Sequence, residues 1–375
     1  MNFSDLVKTG FDMWKHSQAN NTKLVTVIAL GPPGVGKTSA GRQLAALMTE
    51  HVQRRSPAAG EAVLKVLDLS SMLPEDLMGL PFRDGDVTRY CPQSWMAPLC
   101  EEGAYGVLIL DDLPAASAQV QVACRQVSLE RRIHEMHLAP GVFVMVTGNR
   151  REDKSAASTL PAHFRNSVVI LPFQPDFKGW EEWYMEQGFE SDIPAFLHFK
   201  RSHFSRLPKD ADDNGSFATP RTWSMLGQLM PAISEDALSE VASGLVGSGV
   251  ATEYAAFRLL RKELVSPEKV LEDPEKYVPN VAILDSPDKM VALVTGLGEV
   301  AARLAKGNKT LPVLTQYLRA LGHCTSRKRE YIAVSVSTFT ACKGNMKDML
   351  LAARQGNNDP GIKALITYLA KTLEG

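Results

Sequence analysis

The segment that most constrains this chain is an apolar, strand-like run followed at once by a glycine-rich loop. Residues 24–30 read Leu-Val-Thr-Val-Ile-Ala-Leu, and residues 31–38 read Gly-Pro-Pro-Gly-Val-Gly-Lys-Thr, which is the pattern G-x-x-x-x-G-K-T. Glycines let the backbone curl so that successive N–H groups point into one cradle. The order predicts a buried strand, a phosphate-binding loop and then a helix whose positive end faces the phosphates.

Each residue type in this loop has a task on a bound nucleotide. We expect the ammonium group of Lys37 to reach the β- and γ-phosphates, and the hydroxyl of Thr38 to coordinate Mg²⁺. The backbone of the loop and of the first helical turn completes the cradle. The predicted nucleotide-binding residues are Gly31, Pro33, Gly34, Val35, Gly36, Lys37, Thr38 and Ser39.

A second apolar run ends in two acidic residues. Residues 107–112 read Val-Leu-Ile-Leu-Asp-Asp, and ligands of open α/β sheets bind at the carboxyl ends of the strands. We therefore predict that Asp111 holds Mg²⁺ through its water shell and that Asp112 polarises the attacking water. Because Asp112 also precedes a predicted helix, capping that helix is an additional role for its carboxylate.

A polar amide follows the next predicted strand. Residues 142–147 form the apolar run, and Gly148-Asn149-Arg150 comes directly after it. We expect Asn149 to orient the lytic water together with Asp112. The alternative is that Asn149 caps a turn.

An arginine opens a helix much later in the chain. Residues 218–223 read Ala-Thr-Pro-Arg-Thr-Trp, in which Thr219 suits the helix cap and Pro220 the first turn. This helix start would fix Arg221 so that it reaches a γ-phosphate from a lid. The alternative is a solvent-exposed side chain, as most arginines are.

Strands alternate with helices in the first part of the chain, and the remainder is helical in pattern. The predicted strands cover residues 24–30, 62–69, 107–110, 141–146 and 168–171. Such alternation implies βαβ crossovers and a mostly parallel sheet. We predict three domains, namely an α/β nucleotide-binding core over residues 1–174, a helical lid over 175–280 and a C-terminal helical extension over 281–375.

Composition limits the class of protein and its partners. The 375 residues are 45% hydrophobic and 22% charged, as in soluble globular proteins. A formal net charge of −1 argues against a bulk electrostatic grip on nucleic acid. Five cysteines without C-x-x-C pairing suit a reducing cytoplasm, and no apolar run reaches membrane-spanning length. We therefore predict a cytoplasmic protein without a membrane segment or a signal peptide.

In their order along the chain, these motifs resemble the Walker A, Walker B, sensor asparagine and lid arginine of an AAA+ ATPase. The finer pattern is similar to the MoxR branch, and the resemblance covers roughly residues 20–275. The stretches that carry it are Asp76-Leu77-Met78-Gly79-Leu80-Pro81, Asp84-Gly85, Gln126-Val127-Ser128-Leu129-Glu130-Arg131-Arg132, Thr147-Gly148-Asn149-Arg150 and Thr219-Pro220-Arg221-Thr222-Trp223. The resemblance implies a P-loop AAA+ fold, ATP and Mg²⁺ as ligands, ATP hydrolysis, and a usually hexameric ring with ATP at the subunit interfaces.

The resemblance also implies chaperone-like remodelling of a partner protein, often one with a von Willebrand A domain. Residues 81–90, with their Asp-Gly turn, and residues 129–141 each have the pattern of a hairpin. In the family such hairpins face the ring pore, and the alternative is two solvated surface hairpins. The candidates for gripping a polypeptide are Phe82, Arg83, Arg89, Tyr90, Arg131, Arg132 and His134.

The sequence departs from the family pattern at two positions. Asp112 stands where the family usually has glutamate, and it is shorter by one C–C bond of roughly 1.5 Å. Small misplacements cost on the order of a hundredfold in rate, so slow hydrolysis is expected. The place of the family's trans-acting arginine finger falls at Ser167. The candidates for the finger are Arg165, two residues before that place and suitable only if the local helix turns differently, and Arg150 or Arg151.

Three functions therefore compete. The leading one is an ATP-driven ring enzyme that remodels proteins. The second is an ATP-binding assembly scaffold with little or no hydrolysis, which Asp112 and Ser167 motivate. The third is a nucleic-acid translocase, against which the absence of an overall positive charge argues.

Overall fold

The structure is a computed structural model that describes residues 1–153, 162–207, 215–278, 286–305, 309–325, 330–356 and 362. It divides into two compact units. Unit 1 contains Met1–Asp176, and unit 2 contains Phe177–Arg206 and the described residues from 215 onwards. None of the described helices is both long and apolar enough to cross a membrane.

Unit 1 is built on a parallel sheet. Its strands are β1 Val27–Leu30, β2 Val63–Asp68, β3 Leu80–Asp84, β4 Val87–Cys91, β5 Tyr105–Asp111, β6 Arg132–Ile133, β7 Met136–His137, β8 Gly141–Gly148 and β9 Val169–Pro172. Five of them form one sheet in the order β2-β5-β8-β1-β9, with every pair parallel. The carboxyl ends of β1, β5 and β8 therefore meet at one edge of the sheet.

The register of the sheet decides which residues become neighbours at that edge. Leu30 pairs with Gly148, and the N–H of Gly31 donates to the carbonyl of Gly148 at 3.2 Å. The glycine-rich loop after β1 therefore starts beside the residue that follows β8. Leu110 pairs with Val146. The residues that follow them, Asp111 and Thr147, therefore also lie side by side.

Helices cover both faces of this sheet. The helices of unit 1 are α1 Phe3–Asn20, α2 Lys37–Gln53, α3 Pro74–Met78, α4 Ala97–Cys100, α5 Ala118–Arg125 and α6 Ala162–Arg165. Within β5, Val107 and Ile109 pack with α1 and α2, whereas Leu108 and Leu110 pack on the side of α5. Alternate side chains of a strand point to opposite faces, and a strand buried on both faces is apolar throughout, as β5 is.

Helix α2 packs closely on the sheet because one of its residues lacks a side chain. A Cβ atom on Gly41 would lie 2.5 Å from the Cδ1 atom of Ile109. The buried face of α2 also includes Ala40, Leu44 and Met48, which recur every fourth residue. The close packing places the first turn of α2 directly behind the glycine-rich loop.

Unit 2 is helical wherever the structure describes regular elements. Its helices span Phe177–Glu186, Asp192–Phe199, Pro220–Leu229, Glu235–Val246, Ser248–Glu263, Pro267–Glu272, Pro274–Tyr277, Pro287–Leu304, Thr310–Thr325, Glu330–Ala341 and Met346–Gln355. The helix Pro287–Leu304 is the most buried of them. Gly298 lets a neighbouring helix approach it, because a Cβ there would lie 2.4 Å from the carbonyl oxygen of Ser335.

The predicted fold class is confirmed, since a P-loop α/β core with a parallel sheet is followed by helices. The chain passes from unit 1 to unit 2 at Asp176 and Phe177, two residues after the end of the predicted core. The structure groups the predicted lid and the predicted extension in one unit. Phe199 and Leu264 of the lid pack against the same hydrophobic cluster as the helix Pro287–Leu304. The division of these helices into a lid over residues 175–280 and an extension over residues 281–375 stays a prediction.

Candidate nucleotide-binding site

The glycine-rich loop adopts a backbone that other residues would strain. Gly34 and Gly36 have positive φ angles of 71° and 96°, in the left-handed region that favours glycine. A Cβ atom on Gly31 would lie 2.3 Å from the carbonyl oxygen of Phe173. Helix α2 begins directly after Gly36. The loop therefore has the strand–turn–helix context that the motif requires for binding phosphates.

Lys37 points its ammonium group back over the loop. Nζ donates hydrogen bonds to the carbonyl oxygens of Gly31 at 2.8 Å and Pro32 at 2.7 Å, and to Oδ1 of Asn149 at 2.9 Å. The lysine is only 9% exposed. The oxygens of a polyphosphate are suitable acceptors for an ammonium group that lies over such a loop. The environment of Lys37 therefore fits a phosphate ligand.

Thr38 and Asp111 form the oxygen pair that suits a magnesium ion. The Thr38 hydroxyl lies 3.0 Å from each carboxylate oxygen of Asp111. Mg²⁺ prefers hard oxygen ligands and usually takes several of them from water and from substrate phosphates. The donor set thus fits Mg²⁺ bound together with a nucleotide.

Asp112 occupies an unusual backbone conformation at the end of β5. Its φ and ψ angles are 57° and 41°, a left-handed conformation that is uncommon outside glycine but that Asp tolerates better than most residues. Burial and the neighbouring charge of Asp111 raise the pKa of the Asp112 carboxyl, against the opposing influence of Lys37 and a hydrogen bond from Asn149. A carboxyl with a raised pKa in such a site is a candidate for proton transfer.

The additional role suggested for Asp112, capping the following helix, is wrong. Its carboxylate makes no capping hydrogen bond to the short turn Leu113–Ala115. Helix α5 is capped instead by Ser117, whose hydroxyl accepts from the N–H of Val120 at 3.3 Å. The Asp112 carboxylate faces Asn149, and Nδ2 of that amide donates to its Oδ1 at 3.5 Å.

Asn149 connects the two halves of the site. Its Oδ1 accepts from Lys37, and its Nδ2 donates to Asp112. Both amide atoms are engaged within the site, so turn capping does not explain this side chain. The arrangement places the amide between the phosphate-binding lysine and the second carboxylate, where a group that orients water is expected.

The three arginines discussed as trans-acting fingers differ in their surroundings. Arg150 makes a bidentate pair with the buried Asp153, through Nε at 3.0 Å and Nη2 at 2.9 Å, and this pairing raises the pKa of Arg150. The side chain of Arg151 lies outside the described residues. Arg165, at the end of α6, is exposed, as is Ser167. Of the described candidates, Arg165 is the one whose side chain is exposed.

Arg221 lies in unit 2 at the helix start that the sequence predicts. Thr219 is the cap, and its hydroxyl accepts from the N–H of Thr222 at 3.2 Å. Trp223 anchors the helix, because it is fully buried and its Nε1 donates to the carbonyl of His203 at 2.8 Å. Arg221 itself is exposed. Its contact with a γ-phosphate stays a prediction.

Both predicted hairpins are present in unit 1. Strands β3 and β4 pair antiparallel, and all ten of their residues are exposed. Strands β6 and β7 form the second, shorter hairpin. The ring of Tyr90 in β4 stacks on His134 in the turn of the second hairpin, with the ring centroids 3.7 Å apart. Phe82 exposes 47% of its surface, so the first hairpin displays an aromatic side chain to solvent.

One of the residues predicted to grip a polypeptide is unavailable for that task. Arg131 is only 7% exposed, and its Nη2 donates to the carbonyl oxygens of Ala139 at 3.0 Å and Val142 at 2.6 Å. Burial lowers the pKa of its guanidinium to about 10. The prediction for Arg131 is wrong because its side chain turns inward and holds the segment that leads into β8. Its neighbour Arg132 remains partly exposed and pairs with Glu130.

The sequence interpretation missed two residues at the edge of the sheet. Thr147 donates a hydrogen bond to Oδ1 of Asp111 and accepts one from the N–H of Asp112 at 3.2 Å. Asp68 ends β2 in register with Asp111, and its charge contributes to the raised pKa of Asp112. In the sequence, each of these two residues is a polar residue near the end of a predicted strand. That position indicates a role in the site only once the order of the strands in the sheet is known.

No model of a known protein family matches the sequence, and a search of curated proteins found no match. Among solved structures, the chain is similar to several proteins, three of which follow. The RuvB Holliday junction branch migration motor of Thermotoga maritima is 14% identical with a TM-score of 0.39, over 73% of this chain and 76% of that one. C. elegans PCH-2 is 15% identical with a TM-score of 0.35, over 70% and 68%. NtrX from Brucella abortus, solved in complex with ATP, is 13% identical with a TM-score of 0.35, over 88% and 68%. These likenesses concern the fold alone.

Proposed function

We propose that the chain is an AAA+ enzyme that binds and hydrolyses ATP. The observation that carries the proposal is the convergence of Lys37, Thr38, Asp111 and Asn149 from the ends of three neighbouring strands, through contacts of 2.9 and 3.0 Å. A lysine in a glycine-rich loop, an oxygen pair for a metal and a water-orienting amide are the parts that phosphoryl transfer requires. All four of these residues lie in unit 1. A lid or a neighbouring subunit would add further residues.

The residues divide the work as follows. The loop from Gly31 to Ser39 cradles the phosphates, and Lys37 exchanges its carbonyl partners for oxygens of the β- and γ-phosphates. Thr38 and Asp111 would hold Mg²⁺, which when bound neutralises charge on the phosphates. Asn149 orients the attacking water, and Asp112 accepts a hydrogen bond from it.

A ring is part of the proposal. We infer a homo-oligomer, most simply a hexamer, in which Arg165 of one subunit reaches the ATP of the next and Arg221 contacts the γ-phosphate from the lid. The exposure of both arginines supports these roles. Arginine fingers contribute about 10³–10⁵ in rate in related enzymes, so activity depends on assembly.

The MoxR-like client function is a further part of the proposal. The two hairpins would face the ring pore and act on a protein client, for which a protein with a von Willebrand A domain is the kind that the resemblance suggests. The exposed Phe82 and the Tyr90–His134 stack support a role in contacting a chain. A cytoplasmic location, inferred from the scattered cysteines, belongs to the same proposal.

A second candidate function is an ATP-binding assembly scaffold with little turnover. The observation that favours it is the short side chain of Asp112, whose contact with Asn149 measures 3.5 Å, at the limit for a hydrogen bond.

A nucleic-acid translocase is disfavoured by the net charge of −1, and salt-dependent binding to DNA would revive it.

The test is steady-state ATPase activity as a function of protein concentration, with the molecular mass measured alongside. The Lys37→Ala variant removes the phosphate-binding ammonium group, and Lys8→Ala removes an exposed lysine of α1 as the matched control. Activity that rises with assembly, persists in Lys8→Ala and disappears in Lys37→Ala supports the ring ATPase. ATP-dependent assembly without turnover supports the scaffold. Activity that survives in Lys37→Ala contradicts both.

A further inference from the structure

The hydroxyl of Thr147 lies between the two acidic residues of the site. It donates a hydrogen bond to Oδ1 of Asp111, and it accepts one from the backbone N–H of Asp112 at 3.2 Å. A threonine hydroxyl offers one donor and two acceptor positions, so both bonds can be made at once. Thr147 is only 1% exposed. Water therefore does not compete for either bond.

We infer that Thr147 is a positioning residue that holds both carboxylates for magnesium binding and catalysis, an inference that rests on the proposed function. Through its hydroxyl hydrogen it fixes the carboxylate of Asp111. Through its hydroxyl oxygen it holds the backbone of Asp112 in its left-handed conformation of φ 57° and ψ 41°. A single side chain on β8 thus holds the carboxylate that ends β5 and the backbone of the residue that follows it.

The role of Thr147 becomes larger when a metal binds. In this structure the Thr38 hydroxyl donates to both oxygens of Asp111. If the Thr38 oxygen were to hold a metal ion, its hydrogen bonds to that carboxylate would be given up or redirected. Thr147 would then remain as a donor to Asp111. Residues that hold metal-binding side chains in this way typically affect metal affinity or activity 10- to 100-fold.

The surroundings leave Thr147 little freedom to move. The next residue, Gly148, packs so closely on the segment after β5 that a Cβ atom there would lie 2.3 Å from Cδ of Pro114. Strands β5 and β8 are paired in register up to Leu110 and Val146. The position of the hydroxyl is therefore set by the sheet.

The experiment compares Thr147→Val, which keeps the shape and removes the hydroxyl, with Thr147→Ser, which keeps the hydroxyl. Thr26→Val is the matched control, because Thr26 is also buried and donates to a backbone carbonyl, that of Ser128, at the opposite end of β1 from the loop. Binding of a fluorescent ATP analogue is measured in EDTA and during a titration with Mg²⁺. ATP turnover is then measured at saturating Mg²⁺.

In the titration we compare the Mg²⁺ concentration at which half of the Mg²⁺-dependent change in analogue binding is reached. We expect Thr147→Val to raise that concentration by about 10- to 100-fold and to leave the affinity for the analogue in EDTA unchanged. Thr147→Ser and Thr26→Val should match the wild type. A wild-type Mg²⁺ requirement in Thr147→Val would overturn the inference. If Thr147→Val does not fold, the same titration is made with Thr147→Ala. Rapid hydrogen exchange at the Asp112 amide of the wild type would also overturn the inference. A wild-type protein that binds no nucleotide at all would instead refute the proposed function.

Discussion

Replacing Asp112 by glutamate tests whether the short side chain limits hydrolysis. The substitution extends the carboxylate by about 1.5 Å, and in this structure Oδ1 of Asp112 stands 3.5 Å from Nδ2 of Asn149. A misplacement of about 1 Å costs on the order of 100-fold in rate. The variant is therefore expected to raise kcat by up to about 100-fold, which corresponds to about 2.7 kcal/mol of activation free energy.

The same substitution has a cost in stability. Asp112 is left-handed, and that conformation costs about 1–2 kcal/mol in residues that cannot compensate by local hydrogen bonding. Glutamate is less suited to it than aspartate, so the free energy of unfolding should fall by about 1 kcal/mol. The two effects act on different quantities and can be measured separately.

The assay is phosphate release under single-turnover conditions, with ATP affinity and urea unfolding measured on the same preparations. Asp112→Asn is the matched control, since it keeps the length of the side chain and removes the charge. We expect Asp112→Glu to be faster than the wild type and Asp112→Asn to be slower. If Asp112→Glu binds ATP normally and hydrolyses it no faster than the wild type, the short side chain does not limit hydrolysis, and the scaffold is favoured.

Three further predictions follow from the site and its supports. Arg131→Met should lower the free energy of unfolding by about 2 kcal/mol, because the charged side chain donates two buried hydrogen bonds. Arg132→Ala, the control, should change it by less than about 0.5 kcal/mol. Urea unfolding of the two variants measures both values, and equal losses would contradict the prediction. Asn149→Ala should lower kcat by about 100-fold, because the water loses its orienting amide; a change confined to KM in steady-state assays would contradict that role. The raised pKa of Asp112 means that the folded state binds a proton more readily than the unfolded state, so this group lowers the unfolding free energy as pH rises through that pKa. Asp112→Asn should therefore be more stable than the wild type at neutral pH, with the difference disappearing in acid, and a difference that grows in acid would refute the assignment.

The sequence predicts the nucleotide-binding loop and the first carboxylate because their signals are local. Glycines at fixed spacing, an apolar run before them and a helical pattern after them are enough to specify strand, loop and helix α2. Asp111 follows from the same logic, since it ends an apolar run that is long enough to be a buried strand. The left-handed glycines 34 and 36 then fulfil what the motif requires.

The parts that could not be predicted depend on contacts distant in the sequence. The role of Thr147 exists only because β8 lies beside β5, and motif order along the chain does not state strand order in space. Arg131 is buried because the carbonyls of Ala139 and Val142 accept from it, which an arginine-rich hairpin pattern does not reveal. Likewise, the helix Pro287–Leu304 joins the core of unit 2 through apolar packing that amphipathic periodicity alone leaves unassigned.

The most direct measurement of the central claim is equilibrium binding of ATP in the presence of Mg²⁺, by calorimetry, to the wild type, Lys37→Ala and Lys8→Ala. Hydrogen bonds to charged groups contribute about 1.5–3 kcal/mol each, so loss of the Lys37 ammonium should weaken binding by at least about 10-fold. We expect one ATP bound per chain, with wild-type affinity in Lys8→Ala and a much weaker affinity in Lys37→Ala. No binding by the wild type, or equal affinity in all three proteins, would contradict this expectation.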